Sequence, residues 1–188
     1  VTNDNAQGEY YLPDVLSILR DAGEKIWAVT ADNYESTLGI NSRSQLAVAE
    51  RILRRRKVEE LMADGVTIID PHTTFIDAEV RVGMDTVIYP FTFLEGVTVI
   101  GEDCVIGPNV RFQNMVVGDN VKAHYVYAHD AEVENGAELG QFNHIRPDSH
   151  IGAGVKMGNF VEVKNSNIGA GSKLPHLSYI GDCDLGAH

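Results

Sequence analysis

From residue 76 onward the sequence keeps a period of six. Large apolar residues fall at Ile76, Val82, Ile88, Leu94, Ile100, Ile106 and Phe112, resume at Val133, Leu139, Ile145, Ile151, Met157 and Val163, and recur at Ile168, Leu174 and Ile180. Neither an α-helix, with its period of 3.6, nor a half-buried strand, with its period of two, produces such a pattern. A fixed repeat of this kind denotes a solenoid. Glycine often follows the apolar residue, as at Gly101, Gly107, Gly152, Gly158 and Gly169. Four positions after it stands something small: Thr86, Thr92, Thr98, Cys104, Val110, Ser149, Val155, Val161, Ser172 or Ser178. The pattern predicts a left-handed parallel β-helix, a prism whose three flat faces each take six residues per coil. The aliphatic residue enters a narrow shaft, and the small one faces inward near a corner. Glycine at the turn permits positive φ or a close backbone approach. Each coil buries its apolar side only by stacking on its neighbours. Cys104 falls in the small inward slot, which makes it a packing residue rather than a reactive thiol. Residues 122–132 break the register and are expected to form a local bulge or loop.

Ahead of the repeat the pattern is mixed. Asp14 to Arg20 reads as a short helix, and Lys25 to Thr30 (KIWAVT), bounded by Gly23 and Asp32, as a strand. Ser42 and Gln45 form a capping box that opens a helix running to Gly65. Leu46, Ala49 and Leu53 share one face of it, with Val58, Leu61 and Met62 further on. Arg51 and the run Arg54, Arg55, Arg56, Lys57 are expected to lie on the solvated remainder. The chain therefore divides into residues 1–40, a connecting helical arm over 41–65, and a β-helix over 66–188. At 188 residues and 44% hydrophobic it can build real cores. A formal net charge of −12 disfavours a nucleic-acid partner, while leaving room for a local cationic pocket. No apolar run reaches the length of a membrane span, and no signal peptide opens the sequence. Two cysteines form neither a disulfide framework nor a metal knuckle, so a cytoplasmic location is expected. The sequence opens at Val1 and stops at His188 within the repeat, as an excerpt of a longer chain would.

Several segments go beyond a generic repeat. They are NDNAQGEYYL (3–12), GINSRSQL (39–46), HIRPDSHIG (144–152), GNFVEVKNS (158–166) and KLPHLSYIGD (173–182). In this order and spacing the chain resembles the bacterial bifunctional glucosamine-1-phosphate N-acetyltransferase / N-acetylglucosamine-1-phosphate uridyltransferase family. The resemblance implies a Rossmann-like domain that transfers uridylate from UTP to N-acetylglucosamine 1-phosphate with Mg²⁺, of which residues 1–40 would be the end. It further implies a homotrimeric β-helix that acetylates glucosamine 1-phosphate from acetyl-CoA. The product, UDP-N-acetylglucosamine, serves peptidoglycan and lipopolysaccharide precursors. The family's Gly-rich nucleotide loop, the acidic partner for Mg²⁺ and its last coils fall outside the 188 residues, so this stretch alone is expected to be inactive.

The resemblance also assigns residues. An amine must lose a proton to attack a thioester, and histidine suits the task of base. The resemblance places that base at His176, which taken alone would read as a surface histidine. Glu162 would polarise the site or orient the base. Arg146 and Lys164 each follow an inward aliphatic, three coils apart in register with Gly152 and Gly158 between them. Their side chains are expected to start roughly 14 Å apart and converge on a sugar phosphate. Tyr179 is a further sugar contact, and Asn41 a contact to Mg²⁺ and the uridylylated sugar. His124 and His129, with His144 nearby, lack the matching third ligand of a three-histidine zinc site. Two other readings stay open: a different hexapeptide-repeat acyltransferase acting on a nucleotide sugar, and a non-catalytic trimeric scaffold.

Overall fold

A computed structural model describes residues 1–187. The chain divides into two compact units, Val1–Gly39 and Ile40–His188. In the first, helix α1 spans Asp14–Asp21, with Asp14 in the first turn where the helix dipole favours an acid. A single 3₁₀ turn covers Tyr34–Thr37, and the Asn33 side chain accepts from the Glu35 N–H. Lys25–Thr30 does not form the expected strand. A strand needs a neighbour for its ladder, and no other described part of residues 1–39 pairs with it; Trp27 is 81% and Val29 92% exposed.

The second unit opens with helix α2, Arg43–Ala63. Its capping box is a variant in which the return bond reaches one residue beyond the N-cap. Ser42 Oγ accepts from the Gln45 N–H at 3.2 Å, and Gln45 Oε1 accepts from the Asn41 N–H at 2.6 Å. Gly65, at φ +93°, follows the helix end. Val58 and Leu61 are buried at the base of the prism, whereas Leu46 and Leu53, earlier on α2, stay exposed. The basic run is not simply solvated. The Arg54 guanidinium lies 4.1 Å over the Phe75 ring, and the Lys57 side chain is only 12% exposed, paired to Glu60 at 2.8 Å. Long stems cover apolar surface while their charged heads find partners.

The rest is a left-handed β-helix made of three seven-stranded parallel sheets. Each interior strand pairs with its counterparts one coil before and after, so that Ile88 faces Ile106, Leu94 faces Phe112 and Ile100 faces Val117. These shaft residues are almost wholly removed from solvent. The small inward slots carry polar groups that bond between coils. Thr86 Oγ1 donates to Gly101 O and accepts from the Cys104 N–H; Cys104 Sγ donates to Gly118 O.

Residues 122–132 do not loop out. Strands Lys122–Ala123, Tyr127–His129 and Glu132–Val133 continue the three sheets. Ala123 and Ala128 occupy the shaft, and the step between shaft residues shortens to five at Phe112–Val117, Ala123–Ala128 and Ala128–Val133. The alanine is matched to its neighbour: Phe112, the largest side chain in the shaft, faces Ala128 in register, and a close-packed interior requires that compensation. The step is again five at Val163–Ile168 and Ile180–Leu185, and four of these five short corners turn on Asn114, Asp130, Asn165 and Asp182, each at positive φ. They stack in pairs, Asn114 Nδ2 donating to Asp130 Oδ1 and Asn165 Nδ2 to Asp182 Oδ1, both at 2.9 Å.

The glycines that follow shaft residues separate the faces. On one face they are Gly83, Gly101, Gly118, Gly152, Gly169 and Gly186, on another Gly107, Gly140 and Gly158. Close approach is the reason: a Cβ on Gly101 would stand 2.7 Å from Gly118 C, and one on Gly152 2.7 Å from Ile168 O. The remaining face, called the second because Phe75–Ile76 begins it, carries Asp77, Glu95, Gln113, His129, Arg146 and Lys164 at that position, and only then Gly181. Its strands accordingly reach three residues, as in Glu162–Lys164. One face of the prism is decorated with side chains on both sides of each shaft residue.

Candidate active site on the second face

The last three coils of the second face bring most of the expected residues together. His144 pairs in register with Glu162, and Glu162 with Tyr179; Ile145, Val163 and Ile180 form the shaft beneath them, and Lys164 faces Gly181. Arg146 and Lys164 are one coil apart, not three, and the Arg146 N–H donates to Val163 O at 2.9 Å. A coil consists of three six-residue faces, so a separation of 18 residues is one turn of the solenoid. Their backbones are about 4.8 Å apart, the strand spacing, instead of roughly 14 Å. Gly152 and Gly158 lie on the other two faces.

The cations have partners. Arg146 Nη1 meets Glu162 Oε1 at 3.0 Å, and Lys164 Nζ meets Asp182 Oδ2 at 3.4 Å. A hydrogen bond from Asn165, with Lys164 beside it, holds the Asp182 carboxyl below the ordinary carboxylate range. Tyr179 is 62% exposed, and its ring lies across the space that a side chain on Gly181 would fill. His176 is exposed at the corner leading into Tyr179, where Leu177 takes φ 59°. Its backbone nitrogen packs against Gly158, 2.8 Å from where a Cβ would stand. Four exposed aromatics occupy the same left-handed corner position in other coils: Phe91, Tyr125, Phe142 and Phe160. Phe142 stacks on Phe160 at 5.0 Å and leans on Tyr125 at 5.4 Å. Such φ values are uncommon for bulky residues. Beside this ladder runs an open groove of about 710 Å³, lined by Phe93, Arg111, Tyr127 and His144 among others.

Asn41 is not part of this cluster. It sits ahead of α2, which packs on the strands Thr67–Ile68 and Phe75–Ile76 at the opposite end of the prism. No group of three or more His, Cys, Asp or Glu that could hold a metal occurs among the described residues. A single neutral amide does not meet the demand of Mg²⁺ for several hard oxygen ligands, so these residues do not fit a Mg²⁺ site. The three histidines do not converge on one point: His124 bonds Gly107 O at the corner leading into the second face, while His129 pairs with Asp130 at 3.1 Å and stacks near Tyr127 and His144 on the second face. Sequence reasoning weighed His144 only as a neighbour in a three-histidine metal site, and it missed Asp182. Reading the chain in columns 17 or 18 residues apart, rather than in hexads, would have placed His144 under Glu162 and Asp182 above Asn165.

A decorated face on a left-handed hexapeptide prism, with paired cations beside a corner histidine, defines the chain as a hexapeptide-repeat protein with a candidate anion site. No protein-family profile matches it, but curated relatives do. It is 53% identical over 188 residues to the bifunctional protein GlmU of a Geobacillus species, covering 100% of this chain and 41% of that protein. It is 50% identical over 186 residues to that of Brevibacillus brevis, covering 99% and 40%. Over the stretch it spans, the chain is similar to the GlmU proteins. It spans about two fifths of the length of these relatives. A solved GDP-perosamine N-acetyltransferase variant from Caulobacter crescentus aligns at 17% identity and TM-score 0.39, covering 92% of this chain and 84% of that one. That likeness is too weak to carry an argument.

Proposed function

We propose that the second face transfers acetyl from acetyl-CoA to the amine of glucosamine 1-phosphate. The observation that carries this reading is the gathering of Arg146, Lys164 and Tyr179 on adjacent coils, beside the corner that presents His176. Arg146 offers a bidentate fork and Lys164 a point charge, and together they take the phosphate. Glu162 is ion-paired with Arg146 at 3.0 Å and competes with the phosphate for that guanidinium. The Tyr179 hydroxyl contacts the sugar. The amine nitrogen attacks the thioester carbonyl carbon, the new C–N bond forms, and the C–S bond breaks as the CoA thiolate leaves. His176 accepts the proton that the amine gives up.

In the longer protein an N-terminal domain transfers uridylate from UTP to N-acetylglucosamine 1-phosphate. Asn41 contributes there to Mg²⁺ only together with acidic ligands from outside this stretch. The product, UDP-N-acetylglucosamine, feeds peptidoglycan and lipopolysaccharide precursors in the cytoplasm. No described helix is long and apolar enough to cross a membrane. The assembly is a homotrimer, a reading supported by the strained, exposed aromatic corner, which a neighbouring prism would cover.

Kinetics of the full-length enzyme test the roles separately. Arg146→Ala or Lys164→Ala removes a charged hydrogen bond of roughly 1.5–3 kcal/mol and should weaken use of glucosamine 1-phosphate by about ten- to a hundredfold. His176→Ala should lower kcat by roughly 10²–10⁴ with little change in the sugar KM. Unchanged sugar kinetics in both cation variants would move the site elsewhere, and near-wild-type kcat in His176→Ala would remove it as the base.

A further inference from the structure

We propose that His144 is a positioning residue that competes with Arg146 for Glu162, so that protonating its imidazole frees the guanidinium and tightens phosphate binding. The proposal rests on the reading of Arg146 and Lys164 as the phosphate site. His144 lies directly beneath Glu162 in register, one coil down on the same face, where neighbouring side chains are in reach of one another. Its ring is fixed from below by Tyr127, stacked at 5.1 Å, and flanked by His129 at 6.1 Å. Its Nε2 is sealed from solvent and has no hydrogen-bond partner. A sealed N–H without an acceptor costs more than a sealed lone pair. The neutral ring therefore carries its proton on Nδ1.

The charged groups facing His144 come from three strands. Arg146 shares its own strand, Glu162 and Lys164 lie on the strand above, and His129 with its partner Asp130 lies below beside Tyr127. Burial lowers the His144 pKa, Glu162 acts in the opposite direction, and His129 and Arg146 lower it further. Burial thus favours the neutral ring, which takes up its proton only at a lower pH than an ordinary imidazole. A proton on Nε2 then needs an acceptor, and the anionic oxygen one coil up belongs to Glu162, which at neutral pH holds Arg146 at 3.0 Å. Moving that carboxylate toward His144 loosens the guanidinium and leaves one more positive charge about 7 Å from the phosphate position, a two-residue step along the strand. Both changes favour an anion, so affinity rises as pH falls through the His144 pKa.

The test uses N-acetylglucosamine 1-phosphate, which has no free amine to titrate, and calorimetry at pH 8 and pH 5.5 of the full-length protein with its N-terminal uridylyl-transfer site already saturated by UDP-N-acetylglucosamine, so that only the β-helix site is read. Titration of the ligand's own phosphate cancels between wild type and variant. His144→Asn keeps a neutral donor near the Nδ1 position, and His144→Phe keeps the stack on Tyr127. Wild type and His144→Asn should agree within about twofold at pH 8. At pH 5.5 wild type should bind about three- to tenfold more tightly than either variant, the effect of one charge at that distance in a water-like medium. In the present chain, which needs no substitution, the NMR shifts of the Glu162 carboxyl carbon and the Arg146 guanidinium carbon should follow the His144 midpoint. Parallel pH dependences in wild type and both variants, with Arg146→Ala still weakening binding, overturn the proposal alone. Undiminished binding by Arg146→Ala overturns the phosphate reading and the proposal together. Glu162 and Arg146 shifts that ignore the His144 midpoint overturn the proposal whatever the calorimetry gives.

Discussion

Replacing Gly181 by alanine should damage the proposed site while sparing the fold, and the reason lies in what the new Cβ would meet. It would stand 2.4 Å from Tyr179 Oη, 2.7 Å from Cζ and 2.9 Å from Cε1. An ordinary contact is about 3.5–4 Å, so the ring must withdraw by about 1 Å. Nothing prevents this, because the obstacle is the far end of an exposed side chain. Gly181 is outside the left-handed region, so alanine fits its backbone. The unfolded chain loses freedom worth about 0.4–1 kcal/mol in favour of the folded state, and a displaced rotamer costs about 0.5–1.5 kcal/mol. The two nearly cancel, and Tm should stay within about 2 °C. A 1 Å misplacement in a site is a different matter, costing up to about 10²-fold in rate. Acetyl-transfer kcat/KM of the full-length enzyme should fall by about ten- to a hundredfold, approaching that of Tyr179→Ala. Gly152→Ala is the opposite case. Its Cβ would stand 2.7 Å from Ile168 O and 2.8 Å from Ala170 N, both backbone of the next coil and unable to rotate away. Overpacking of this kind costs about 1–3 kcal/mol, each kcal/mol lowering Tm by about 2–4 °C, with activity per folded molecule retained. Thermal melts and steady-state kinetics on the same preparations decide the matter. If Gly181→Ala melts early and works normally, or Gly152→Ala is silent in both assays, the account of these glycines fails.

Two further outcomes follow from groups the fold has perturbed. Burial pushes the Cys104 thiol up, whereas Cys183 is exposed; a thiol reagent at pH 8 should titrate one cysteine per native chain and both in denaturant, and rapid native modification of Cys104 would contradict its place in the shaft. Asp182 is depressed chiefly by Asn165, so its contribution to stability is present above pH 3.8 and is lost as pH falls through its lower folded value. Asn165→Ala should raise the Asp182 pKa toward 3.8 in a carbon-detected NMR titration, and an unmoved midpoint would show that the stacked corner is not its cause.

The period of six made the solenoid and its shaft legible, because only a repeated inward position recurs at that spacing. The angular position of each residue was less so. Counting hexads as coils put Arg146 and Lys164 far apart, although one turn of the chain brings them side by side. The stretch around Ala123 and Ala128 looked like a loop because alanine carries no aliphatic signal, and because an Asn or Asp in the left-handed region lets a corner close one residue early. Which face carries the proposed site could have been read from the residue after each shaft position, where glycine gives way to Arg146 and Lys164. Lys25–Thr30 shows the converse limit. Its composition is that of a strand, but strandedness belongs to a pair, and no partner lies within residues 1–39.

The decorated face has a further consequence, for how such a surface can change. Its outward side chains occupy a lattice, with a step of about 4.8 Å along the prism and about 7 Å across it, set by backbone hydrogen bonds and indifferent to the residues chosen. The backbone origins of a cation and a second recognition group can therefore be moved apart only in whole steps. A substrate longer by one small group is met by transposing a residue to the next coil, leaving the shaft untouched. Because Arg146 and Lys164 stand one step apart, their origins measure one such unit, and the flexible stems supply the fraction that the lattice cannot.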